Sequence, residues 1–256
     1  MSRNVGEGRP AATVVIVREM TASPPHILMM ERAAHMAFAG GALVFPGGAV
    51  DEADRTLAAA MAKDGDVDDL AARIAAIRET LEESGLGVGF RTPIASAQLM
   101  DMRAALARGE SLAAIAEAHG LEFALDQLVP FSRWHPAAAE HVTRIFDTRF
   151  YLVRAPRDQE PRVDATENVR LFWSGARETI ARCDAGQGRI IFPTRRNLER
   201  LALFDSFDAM AAHASSTPIE MVRPWIEDRA GEPHLCIPEN IGYPVTSEPL
   251  GGVQRG

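Results

Sequence analysis

Apolar positions along the chain fall into short blocks separated by turn residues. Residues 11–18 (AATVVIVR) and 26–32 (HILMMER) are apolar runs, the first rich in β-branched residues, joined by a Ser-Pro-Pro turn; they predict paired strands. Gly40-Gly41 and Pro46-Gly47-Gly48 bracket a third short strand at 42–45. Residues 55–63 predict a short helix ending near Gly65, and a main helix follows from about Asp68 to Ser84. Asp66, Asp68 and Asp69 offer capping oxygens at its start, and Gly85 stands where a left-handed terminal residue is wanted. Residues 97–108 and 111–119 read as a helical pair broken near Gly109. From 128 the pattern turns to strands: LVPFSRW, RIFDTRFYLVR and NVRLFWS. A helix at 175–183 follows, another opens after Pro193, and 219–227 with 233–237 predict a late hairpin. Strands and helices mix without regular βαβ alternation, so the expected class is α+β with a mixed sheet.

The main helix is unusual in its charge. An α-helix turns roughly 100° per residue, which puts Leu70, Ile74, Ile77 and Leu81 on one side and Glu79, Glu82 and Glu83 on the other. Ala72, Ala75 and Ala76 share the carboxylate side and would let another backbone approach. Arg78 lies four residues before Glu82, within reach of its carboxylate. One reading is a solvated acidic face. The other is a site for a hard divalent cation, which takes carboxylate oxygens. Helix geometry alone does not choose between them. The glycine turn upstream, GGALVFPGG, weighs towards a backbone held open to a ligand.

Bulk properties narrow the partners. The net charge of −8 argues against broad binding to nucleic acid or to an anionic membrane. Cys183 and Cys236 are far apart and match no metal-ligand spacing, which fits a reduced cytoplasmic protein. The first residues lack the apolar core of a signal peptide, and no apolar run reaches membrane-spanning length. GLGVG at 85–89 follows a helix rather than a strand, so it is no dinucleotide fingerprint. The expected organisation is a flexible start at 1–9, one domain over 10–240 and a loose tail over 241–256.

Gly48 together with Arg78-Glu79-Thr80-Leu81-Glu82-Glu83-Ser84-Gly85-Leu86 resembles the signature box of the Nudix hydrolases. Three features depart from the family pattern. Asp54 stands where its first glutamate would be, residues 55–77 (23 residues) replace the usual seven before Arg78, and Thr80 replaces an aliphatic residue. An interrupted box of this kind is similar to that of the acyl-coenzyme A diphosphatase branch. The likeness extends to RAAHMAFAGGALVFPGGAVDEADR, WHPAAAEHVTRIFDTRFYLVRAP, NVRLFWSGAR and IIFPTRRNLERLA. The box then runs over 48–86 with an insertion at about 55–70, and a second, helical insertion covers about 97–120.

The resemblance implies a Nudix fold, a mixed sheet sandwiched between helices. It implies hydrolysis of a small-molecule diphosphate with Mg²⁺ or Mn²⁺. Coenzyme A or acyl-coenzyme A is the expected substrate, giving 3′,5′-ADP and (acyl-)phosphopantetheine. An ADP-sugar, a dinucleoside polyphosphate or an NAD-type diphosphate is the alternative, and a non-catalytic Nudix-fold binding module is a second. Carried over by position, Glu79, Glu82 and Glu83 are expected metal ligands, with backbone oxygen from Gly47 or Gly48. Arg78 is expected to orient the carboxylates and Arg32 to touch the diphosphate. Glu167 and Asp164 are candidates for the base. Arg144, Arg149, Arg195 and Arg196 are candidates for a 3′-phosphate. Neither nucleic acid nor membrane is expected as a partner, and a homodimer is left open.

Overall fold

The computed structural model describes residues 8–36, 39–63, 65–135, 145–163 and 168–253. The first run forms β1 (Arg9–Arg18) and the second β2 (His26–Arg32), paired antiparallel at Val17–Ile27. Along β1, Ala12, Val14 and Ile16 enter one core while Val15 and Val17 enter another. Side chains alternate across a strand, so a continuous apolar run means a strand buried on both faces.

Among the described residues eight strands make the main sheet. β3 (Leu43–Val44) lies beside β2, and β4 (Gly47–Ala49) runs antiparallel to the first half of β1. β5 (Val129–Trp134) and β6 (Phe146–Arg154) are antiparallel to each other, and β6 is parallel to β1 along its full length. β7 (Asn168–Gly175) pairs with β2. The sheet is therefore mixed, as the pattern predicted.

The first core lies between one face and four helices: α1 (Glu52–Met61), α2 (Val67–Ser84), α3 (Ser96–Ala107) and α4 (Leu112–Ala118). The second core lies under α5 (Ala176–Asp184), α6 (Phe192–Leu201) and α7 (Phe207–Ser216). Among the described residues no helix is long and apolar enough to cross a membrane. Cys183 and Cys236 are both free and buried.

Several expectations need correction. The short helix starts at Glu52, ahead of 55, because Asp51 and Asp54 form a capping box in which Asp54 accepts the Asp51 amide at 2.9 Å. α7 was not predicted; its FDAMAAHASS sequence has few large apolar residues to show a period. Residues 221–222 form β8 beside β5, so the hairpin is instead β9 (Trp225–Arg229) with β10 (Glu232–Cys236). Its turn is Ala230-Gly231, both at positive φ, which suits the twist of a tight hairpin. The expected loose tail contains β11 (Ser247–Pro249), paired with β10, and places Ile241 and Tyr243 in the second core.

One buried cation in that second core lacks a carboxylate among its described contacts. Arg200 donates from Nε to His213 Nε2 at 3.0 Å and from Nη1 to the Phe131 carbonyl at 3.0 Å, and lies over the Phe131 ring. Burial, then the neighbouring guanidinium, lower the His213 pKa. Between the folded and unfolded values the unfolded chain binds more protons at this group, so the His213 contribution to stability falls as pH drops below about 6.5. Thermal melting of the wild type beside His213→Gln, which keeps an acceptor for Arg200, isolates this contribution: from pH 8 to pH 5 the wild type should lose stability relative to the variant.

Candidate functional site

α2 carries the carboxylates, and its ends are set as the sequence predicts. Asp66 accepts the amides of Asp68 and Asp69, and Gly85 adopts the left-handed conformation with φ +71°. The expected two-faced helix is not observed. α1, α3 and the sheet cover it, and Ala72, Ala75, Ala76, Arg78 and Glu83 are buried together with Ile74, Ile77 and Leu81. The alanines do admit a close approach, because β4 runs beside this side of the helix.

Arg78 is the hub. It is 8% exposed and donates to Asp54 Oδ2 at 2.9 Å, Glu79 Oε1 at 2.9 Å, Glu82 Oε2 at 3.1 Å and the Ala49 carbonyl at 2.9 Å. Burial disfavours its charge, but Asp54, Glu79 and Glu82 outweigh this and hold its pKa above the ordinary arginine value. Asp54, 2% exposed, therefore has a second task beyond capping α1. Its place six residues after Gly48 was the signal in the sequence; its contact with Arg78 was not foreseen.

Glu79 and Glu83 flank the glycine turn. Glu83 Oε2 accepts the Gly47 amide at 2.8 Å, and Arg32 Nη1 lies 3.9 Å from Glu83 Oε1. A Cβ on Gly48 would fall 2.3 Å from Glu79 Oε1. Burial raises the Glu79 carboxyl to about 7, against the pull of Arg78. Burial and then the Glu79 charge raise Glu83 to about 8. Glu82 is raised less, by burial offset by Arg78. Arg32, Gly47, Gly48, Arg78, Glu79, Glu82 and Glu83 are thus brought together.

Other candidates lie elsewhere. Arg149 pairs with Asp69, ten residues and about 15 Å along α2 from Glu79. Arg195 and Arg196 sit on α6, over the opposite face of the sheet, paired with Asp184, Glu199 and Glu248. Glu167, Asp164 and Arg144 lie outside the described residues.

Among the described residues no three His, Cys, Asp or Glu side chains form a ready-made metal cage. The donors nevertheless suit a hard dication. They are carboxylate oxygens whose buried negative charges repel, beside a turn where only glycine leaves room.

No family model matches the chain. The crystal structure of a Nudix hydrolase from Alicyclobacillus acidocaldarius superposes with a TM-score of 0.70 at 30% identity, covering 81% of this chain and 97% of that one. The chain belongs to the Nudix hydrolase family. A curated Caenorhabditis elegans relative, nudix hydrolase 7, is 29% identical over 205 residues, 78% of this chain. This chain spans about 62% of the length of that relative.

Within this Nudix fold the two glycines of the turn differ in what they face. Gly47→Ala would bring a Cβ within 2.3 Å of the Ala12 carbonyl and 2.7 Å of Thr13 Cα, both backbone. Gly48→Ala would first meet the carboxylate of Glu79, the end of a side chain rather than backbone. Melting curves should show Gly47→Ala clearly destabilised and Gly48→Ala nearly unchanged. Steady-state kinetics should then show Gly48→Ala losing kcat on the order of a hundredfold through displacement of Glu79.

Proposed function

We propose that this chain hydrolyses a small-molecule diphosphate with the help of Mg²⁺ or Mn²⁺, and that coenzyme A or acyl-coenzyme A is its substrate. The observation that carries the reading is the convergence of Glu79 and Glu83 on the Gly47-Gly48 turn, with Arg78 fixed by Asp54. Glu79, Glu82 and Glu83 would hold the cation, with a backbone oxygen from Gly47 or Gly48. Bound there, the cation would supply Lewis-acid neutralisation of charge on the diphosphate oxygens.

The chain's own groups position the site. Arg78 orients Glu79 and Glu82, and the Gly47 amide orients Glu83. Arg32, 3.9 Å from Glu83 Oε1, would meet an anionic oxygen of the substrate. Water adds across the bridging P–O–P bond, so each phosphate leaves as a monoester. Glu167 would serve as base. Asp54 pairs with Arg78 despite being one carbon shorter than the family's glutamate, which favours a working site over a binding module.

The substrate assignment rests on the interrupted box and the wider sequence likeness to the acyl-coenzyme A diphosphatase branch. ADP-sugars, dinucleoside polyphosphates and NAD-type diphosphates are the alternative class. Mass spectrometry of products from a panel of these compounds, with and without Mg²⁺, separates them. 3′,5′-ADP from coenzyme A or acyl-coenzyme A is expected; intact coenzyme A and acyl-coenzyme A beside a cleaved alternative would overturn the substrate assignment.

A further inference from the structure

α2 gathers its carboxylates in its last two turns, where the helix dipole is negative and further anions are unfavourable. Its last turn contains no basic residue. The cation comes from another element. Arg103, on α3, donates from Nε to the Glu82 carbonyl at 2.8 Å and from Nη1 to the Val163 carbonyl at 3.4 Å. The Arg162 amide donates to the Ser84 carbonyl at 2.8 Å, and the Gly85 amide to that of Leu81 at 3.0 Å.

Arg103 therefore ties three chain segments together: the helical insertion, the end of the box helix, and the residues after β6. Leu99, Met102 and Leu106 of α3 pack into the core that holds Ile77 and Leu81, which fixes the position of the guanidinium. The Nη1 atom would also lie 3.5 Å from a Cβ on Gly85, so the approach is close to the helix terminus itself.

We propose that Arg103 is a positioning residue for the carboxylate site. By capping the Glu82 carbonyl it holds in place the turn that carries Glu82 and Glu83. The inference rests on the function proposed above. It also gives the helical insertion a task within the site, as the element that delivers a counter-charge the last turn of the box helix lacks.

The test uses Arg103→Met, which keeps the apolar stem but no donor, Arg103→Lys, which keeps the charge, and Leu106→Ala, which loosens α3 without touching Glu82. Amide hydrogen exchange of 82–86 is measured on metal-free protein, and Mn²⁺ affinity, kcat and KM on the complete chain. Arg103→Met should exchange faster at 82–86, bind Mn²⁺ more weakly, and lose kcat roughly tenfold with KM little changed. Arg103→Lys should fall between it and the wild type. Unchanged exchange and Mn²⁺ affinity in Arg103→Met would overturn the role, as would an equal loss in Leu106→Ala. Should Arg103→Met not fold, wild-type exchange and kcat together with weakened KM in Arg103→Lys would overturn it. A wild type that neither binds Mn²⁺ nor cleaves any diphosphate counts against the proposed function; the exchange result stands apart from that.

Discussion

Glu83→Gln should lose Mg²⁺-dependent turnover by at least about a hundredfold while staying folded, since even a metal's second-shell partner is worth 10–100-fold. The side chain is 5% exposed and its carboxyl is pushed up to about 8 by burial and by Glu79. A glutamine keeps an oxygen that can accept the Gly47 amide, so the turn at β4 retains its anchor. It removes a buried charge for which burial and the Glu79 charge outweigh the pairing with Arg32. The melting temperature should therefore stay level or rise while steady-state rates collapse. Rates close to wild type would remove Glu83 from the site.

Arg78→Ala should do the reverse to the fold. Removing one member of a buried ion pair leaves the other uncompensated, at a cost of about 3–5 kcal/mol. Here the stranded group is Asp54, 2% exposed, with Glu79 and Glu82 losing the same donor. Denaturant unfolding should show a loss of that size, and activity should disappear with it. A variant that unfolds like the wild type would mean that the guanidinium contributes no net stability.

The two predictions separate carboxylates gathered for chemistry from the charges that hold them, and the sequence distinguishes these unevenly. The caps of α2, the glycine turn and the positions of β1, β2, β5, β6 and β7 along the chain were legible because each depends on local residue chemistry. The two-faced helix was misjudged because periodicity describes α2 alone, whereas α1, α3 and the sheet, with β4 beside Glu79 and Glu83, together cover it. α7 and β11 lacked a strong local period; α7 is held by the second core and β11 by its pairing with β10. Arg149, Arg195 and Arg196 looked equivalent as charges, and only the fold shows that each is paired away from Glu79. Arg103 carried no signal, since its partner is the carbonyl of Glu82, 21 residues earlier. Asp54 was visible by spacing, but its partner Arg78 lies 24 residues further along the chain.

Titration of Mn²⁺ into the wild type and Glu83→Gln, followed by electron paramagnetic resonance, tests the central claim most directly. Saturable binding by the wild type, competed by Mg²⁺ and lost in Glu83→Gln, is the predicted result. A wild type that binds no Mn²⁺, or a Glu83→Gln that binds it as tightly, would contradict the assignment of these carboxylates to a cation.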